Sequence, residues 1–478
     1  MSEGRVLPKS VDYTKILPMA VESRSRRRSF FPTNGQSFVD NANNIIRIDV
    51  SASAFLDTKH SYLRFRLTNN SGQACGFDFG GGHGIIRRLR IEQAGTILSD
   101  VNNYNKLLSS IILPSQSGFD GLAHRSLTEG QRFANNGANG NSAQPLPAAD
   151  VSGAIASTIS NTNGLVANGA SYTFSIPLMN GLIGTTQSKM VPLQLLSSSP
   201  LTIEIEICPL LDIGVFAVAA PAAGTSYTID NVRYIAQLVE VGPEVDAQLR
   251  MVQEMSGGKL ILNGTDYTHF NGNIPAGATG NQVINVPARR KSLKSLFFVG
   301  ASTTYAAAGA GGPEHNLVFN LSYGGNFNMT DYQVKIGSVV YPPTPIDAQF
   351  QGGNQAFQRG EVLSELAKCW GTLSSAHGTG CLSTINCYAA DCDVAGMSVA
   401  SPNGAAVTSY QFSPFGLDLE AFQRVALESG VNTASSSLPI SLIVNVGAAN
   451  TEAVNVDCYV SYDSLYFIDE TGAIRVSM

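Results

Sequence analysis

Cys369, His377, Cys381, Cys387 and Cys392 fall within 24 residues, and thiols and an imidazole at that density could hold a zinc ion. Zinc sites usually gain rigidity from a short CxxC knuckle, in which one turn presents two thiolates to one ion. Here the spacing is C-x11-C-x5-C-x4-C, in sequence dominated by small residues. Free thiols, or a loop disulfide formed after release from the cell, are expected ahead of a metal. The other histidines, His60, His83, His124, His269 and His315, make no HxH or HExxH pair. No GxSxG elbow raises a serine nucleophile. "GGGHGIIRR" (80–88) lacks the GK[ST] ending of a phosphate loop and reads as a loop before a strand. The expectation is no catalytic residue, no cofactor and no enzyme.

A second chemical feature is "SRSRRRSFF". It sets Arg24, Arg26, Arg27 and Arg28 within five positions, followed closely by Phe30 and Phe31. Such a knot can meet nucleic acid, a membrane surface or a protein partner. Affinity for nucleic acid grows with the number of phosphates neutralised. This stretch offers four clustered cations, opposed by Glu3, Asp12 and Glu22, in a chain of net charge −6. A bulk nucleic-acid binder is excluded, and sequence-specific nucleic-acid binding is not expected. The six residues Arg24, Arg26, Arg27, Arg28, Phe30 and Phe31 are read as an assembly arm. The apolar Ile16, Leu17, Met19 and Val21 before them are expected to pack on this roll or a neighbouring one.

These residues must be carried by a framework, and the framework reads as β. At 478 residues the chain exceeds one ordinary core, so two domains are expected. Only 14% of residues are charged against 44% hydrophobic, which suits a surface largely covered in the working state. The start lacks the apolar run of a secretory signal, and no stretch has the length to span a bilayer as a helix.

Alternation of period two recurs along the chain. "LTIEIEI" turns Leu201, Ile203, Ile205 and Ile207 one way and Glu204 the other. "YLRFRL", "SYTFSIPLM", "ISLIVNV" and "VDCYVSY" behave alike, which fits antiparallel sheets with one wet face. Asn-Gly pairs, among them those at Asn34, Asn168, Asn180, Asn263 and Asn271, are expected to be tight turns. Three stretches read as helix. The first, from Asp100 as N-cap to a stop at Pro114, buries Tyr104, Leu107, Leu108 and Ile111. The second begins at Pro243 and stripes Val245, Leu249, Val252 and Met255 along one face, and the third is 361–370.

The two halves repeat one plan. "LRIEQAGTILSD" and "YQVKIGSVVYPPTPID" each give a strand, a glycine turn (Gly95, Gly337), a strand and then a helix. A long small-residue loop follows in each half, about 127–170 and about 371–410, before alternation resumes. The expected fold is all-β: two tandem antiparallel eight-stranded jelly rolls with a few short helices. The expected division is an N-terminal arm at 1–36, a first roll at 37–242, a linking helix at 243–258 and a second roll at 259–478.

Four segments carry a family resemblance. They are "SFFPTNGQSFVDNANNIIRIDVSASAFLDTKHSYLRFRLTN", "YIAQLVEVGPEVDAQL", "YQVKIGSVVYPPTPI", and the closing "FGLDLEAFQRVALESGVNTASSSLPISLIV" with "VSYDSLYFIDETGAIRV". The chain resembles the double jelly-roll major capsid proteins of icosahedral double-stranded DNA viruses, of the polinton-like, virophage and large-virus type. The resemblance implies a homotrimer whose six rolls make a pseudo-hexagonal capsomer, and trimer–trimer contacts that build an icosahedral shell in the virion. It further implies penton and minor capsid proteins as partners, an internal membrane as a candidate contact, loops on the outer face, and synthesis and assembly inside the host cell. The alternative from the residues alone is a β-sandwich surface or fibre-type binding module.

Overall fold

The computed structural model describes residues 22–116, 128–130, 166–216, 226–302, 321, 328–348, 360–370, 399–400, 406–407, 414–421, 429–450 and 453–477, apart from 41, 73–74, 78–79, 185–188, 197–198 and 436–438. Most of both long loops, including His377, Cys381, Cys387 and Cys392, and residues 1–21 lie outside the described residues.

Eight main strands build the first half: β1 Ser23–Phe30, β2 Ile45–Val50, β3 Phe55–Asn69, β4 Ile86–Gln93, β5 Thr96–Asn102, β6 Ser171–Ile176, β7 Leu201–Ile207 and β8 Tyr227–Val241. The second half has β9 Lys259–Ile274, β10 Gly280–Asn285, β11 Leu293–Ser302, β12 Met329–Ile336, β13 Val339–Asp347, β14 Phe415–Asp418, β15 Ile440–Val446 and β16 Val454–Asp469. The first half forms one sheet ordered β1-β8-β3-β6 and another ordered β2-β7-β4-β5. The second half forms β9-β16-β11-β14 and β10-β15-β12-β13. Adding eight to every label converts one half into the other. Each half is a two-sheet jelly roll of antiparallel strands.

Alternation explains these elements directly. Leu201, Ile203, Ile205 and Ile207 of β7 are each at most 1% exposed. Each contributes roughly 1.5–3 kcal/mol by leaving water. Gly95 and Gly337 turn the two matching hairpins with φ of +79° and +61°, a region a Cβ disfavours.

Several local expectations are corrected. The arm expected at 1–36 gives way from residue 23 onward to a strand. β1 pairs with β8 from Ser23 opposite Val241 to Phe30 opposite Tyr234. Backbone hydrogen bonding to β8 fixes it, so no hydrophobic period is needed. Asp100 lies in β5 rather than capping a helix, because its carboxylate accepts from both Nε and Nη2 of Arg88 (2.7 and 2.5 Å). The chain turns instead at Asn103 (φ +48°). The helical run from Tyr104 to Gln116 passes through Pro114, after a wider π turn over Leu107–Ile112 has displaced the usual hydrogen-bond ladder. The Asn263-Gly264 and Asn271-Gly272 pairs lie inside β9 instead of forming turns. Gly264 is there because the Gly181 carbonyl oxygen stands 1.8 Å from where a Cβ would sit.

Candidate assembly surface

The first surface is the basic edge. β1 ends the order β1-β8-β3-β6, so its free side is a sheet edge, and residues 23–28 are exposed on both faces. Arg26 pairs with Glu240 (Nη2–Oε1 2.8 Å). Arg27 donates to the Tyr62 hydroxyl (3.0 Å), and Arg28 lies over the Phe30 ring and donates to the Ser51 carbonyl (3.4 Å). Phe30 is buried, whereas Phe31 is 61% exposed and is not covered by this chain's described residues. A cationic edge repels a second strand edge, which is how sheets avoid adding strands indefinitely.

The outer face of the first roll's β2-β7-β4-β5 sheet is a lattice of charge. Glu204 accepts from Arg47 (2.7 Å) and lies 3.7 Å from Arg90, which also pairs with Glu92 (3.0 Å). Glu204 is consequently buried, although the alternation places it on the wet side.

The third surface lies between the rolls. β16 is buried on both faces from Val456 to Ser464: Asp457 and Tyr459 meet the first roll, whereas Ser461 and Asp463 meet Ser295, Ser292 and Lys294 of their own roll. Asp457 receives Lys106 Nζ at 2.5 Å and His269 Nε2 at 2.7 Å. Burial alone would raise the Asp457 carboxyl, but the Lys106 ammonium and His269 outweigh it and hold it well below the usual carboxylate range. Tyr459 donates its hydroxyl to the Asn103 carbonyl (3.0 Å). Gln93 donates to the Gly472 carbonyl (2.9 Å) and accepts from the Ile474 N–H (2.8 Å). Nearby, burial pushes the Asp266 carboxyl up to about 6, with the Tyr267 backbone N–H acting in the opposite sense.

A helix, Pro243–Met255, joins the rolls. Gln194 of the first roll donates to Asp246 (3.3 Å), and Gln253 donates to the Ile468 carbonyl of the second (3.3 Å). The apolar stripe expected on it is present but incompletely covered. Val252 is 50% and Met255 82% exposed, whereas Val245 and Leu249 are half-buried. Among the described residues no cluster of three or more His, Cys, Asp or Glu could hold a metal ion, and burial raises the Cys369 thiol well above its ordinary value. No helix among them is long and apolar enough to cross a membrane.

No protein-family model matches the chain, and no curated protein matches it in sequence. Solved structures do match it in shape. PBCV-1 VP54, fitted into a reconstruction of the virophage Sputnik, superposes with a TM-score of 0.55 at 11% identity, over 98% of this chain and 99% of that one. The mavirus major capsid protein gives 0.52 at 11% identity, over 100% and 96%. The Faustovirus major capsid protein gives 0.52 at 10% identity, over 97% and 92%. Spanning both rolls and the joint in each comparison, these likenesses show that the chain has the double jelly-roll fold of viral major capsid proteins.

Proposed function

We propose that this chain is the structural major capsid protein of an icosahedral DNA virus, assembling through copies of itself into the shell of the virion. The observation that carries the reading is the end-to-end match: two rolls of identical strand order, held at one buried joint, superpose on capsid proteins over nearly their whole length. A threefold axis acting on two similar rolls places six of them around a near-hexagonal tile, so a homotrimer is the natural capsomer. Hexagonal tiles cannot close a shell at fivefold vertices, which supports penton proteins as partners, with minor capsid proteins between tiles. Assembly takes place inside the host cell.

The arginine edge supports a guarded margin of the first roll, set against uncontrolled strand addition, rather than genome binding. Arg26, Arg27 and Arg28 are already engaged by groups of this chain. In sedimentation equilibrium the purified protein should have about three times the 50.5 kDa of the chain. A species that stays monomeric at every concentration, and forms no closed particles in electron micrographs, would instead indicate a fibre-type or surface binding module.

A further inference from the structure

The internal repeat makes the seam between the rolls a template for a second one. Each roll holds a matching aromatic stack, Phe65 on Phe174 in the first (5.2 Å between ring centroids) and Phe298 on Phe415 in the second (5.0 Å). Strand pairing counted from these stacks aligns Arg64 with Phe297, and therefore Arg233 with Tyr459. On the next strand, Phe31 follows Phe30 opposite Tyr234 as His269 follows Thr268 opposite Val460. In the second roll these positions form the seam. Tyr459 donates to the Asn103 carbonyl (3.0 Å), and His269 lies against Asp457 and Asn103 (2.7 and 3.4 Å). In the first roll the matching positions are open: Phe31 is 61% exposed, and Arg64 and Arg233 are half-buried.

The charge on this face is unanswered within the chain. Arg64 and Arg233 stand directly opposite each other across β3 and β8, and like charges so placed are destabilising until an anion joins them. The neighbouring Asp230 is held by both Nε and Nη2 of Arg66 (2.6 and 2.7 Å). Among the described residues neither Arg64 nor Arg233 forms an ion pair.

We infer that this face docks the end of β13 from a second copy of the chain, with that copy's Asp347 and Glu361 set against Arg64 and Arg233 and with Phe31 covered. The inference rests on the homotrimer proposed above. Within one chain β5 packs on β9, the first strand of the sheet β9-β16-β11-β14. Six rolls about a threefold axis need a like seam between chains, which sets β13 on the sheet β1-β8-β3-β6 of the next copy.

The chemistry at the end of β13 fits. Asp347 closes β13 as Asn102 closes β5, one residue before the Asn103 of the seam, and the two pair at matching places with Asp331 and Arg88. Asp347 and Glu361 are exposed, and Glu361 Oε2 accepts from the Asp347 N–H (3.2 Å), so two carboxylates gather at that corner. The halves differ in the same sense. Residues 22–242 hold 16 Lys and Arg against 15 Asp and Glu, net +1, whereas residues 259–478 hold 10 against 16, net −6. Unlike halves are therefore the favoured neighbours. Inside the chain the cation, Lys106, lies on the helical side and the anion, Asp457, on the sheet. Between chains the polarity is reversed, so neither seam can substitute for the other.

A charge swap in the full-length protein, followed by sedimentation equilibrium, tests it. Arg233→Glu and Asp347→Arg should each raise the concentration at which trimers dissociate by about tenfold or more. The two changes together should restore it to within about threefold of the wild type, which separates a lost contact from a lost fold. Phe31→Ala should weaken the trimer in the same direction without any change of charge. A wild type that trimerises, with both single variants trimerising equally well, overturns the inference and leaves the capsomer reading standing. So does a double variant no better than the single ones, or an Arg233→Glu variant that keeps its trimers but loses binding to anionic lipid vesicles. A wild type that never trimerises overturns both.

Discussion

Lys106, on the first roll's helical run, and Asp457, in the last long strand of the second, form an ion pair 2.5 Å long with the carboxylate only 2% exposed. Removing one partner of a buried pair leaves an uncompensated charge and typically costs about 3–5 kcal/mol. His269 remains beside Asp457, so Lys106→Met should lie near the lower end of that range. The loss should fall on the contact between rolls, splitting one unfolding transition into two in a calorimetric scan. A double-mutant cycle with Asp457→Asn should return much of it as coupling.

Two buried carboxylates give opposite responses to pH. Asp457 has a folded-state value below its unfolded one, so its stabilisation is present above about pH 4 and fades as pH falls below that. Asp266 is raised to about 6, so the folded state holds more protons than the unfolded one between about pH 4 and 6. For that group, stability rises as pH falls from 7.5 to 5. Melting temperature measured across this interval should therefore rise or level off in the wild type. Asp266→Asn should be more stable than wild type at pH 7.5 and should lose the gain on acidification.

Within β7, neighbouring positions should respond very differently. Ile205→Asp puts an unpaired charge into the core and should cost several kcal/mol, enough to abolish the first roll. Glu204→Gln removes the shared anion from Arg47 and Arg90, whose side chains are 51% and 22% exposed. Solvent screening at those guanidinium groups limits its cost to about 1 kcal/mol. Urea titration of both variants separates the two values.

Replacing Arg24, Arg26, Arg27 and Arg28 together with serine should change melting little, since these side chains are exposed and make surface contacts. The variant should self-associate more readily, because the charge that guards the β1 edge is gone. Light scattering against concentration is the readout, and an unchanged association profile would show that the arginines do not protect the edge.

Strands with one wet face were legible from alternation alone, as Leu201–Ile207 and Ile440–Val446 illustrate. Both glycine hairpins of the internal repeat were legible too, because Gly95 and Gly337 mark the same turn in the same context. β1 was hidden, since an edge strand exposed on both faces has no apolar period and owes its conformation to β8. Along β16 the alternating set Val456, Cys458, Val460 and Tyr462 was visible. The burial of Asp457 and Tyr459 between them depends on the other roll, several hundred residues away in sequence. For the same reason Lys106 and His269 carried no signal. A lysine on a helix and a histidine in a strand read as solvent-facing until the partner that buries them is known. The stripe on the joint helix was visible, but its incomplete cover was not.

The lock between the rolls is unequal in its parts. The ammonium comes from one roll and the carboxylate from the other, and Gly264 of the second makes room for the Gly181 carbonyl of the first. Expressed alone, the second roll would present Asp457, Tyr459 and Asp266 to water on a face shaped for a companion, and the first would strand Lys106. A repeated sequence of this kind has passed the point at which its halves can be inherited separately. Change on one side of the seam constrains change on the other, so residues along it should vary in concert.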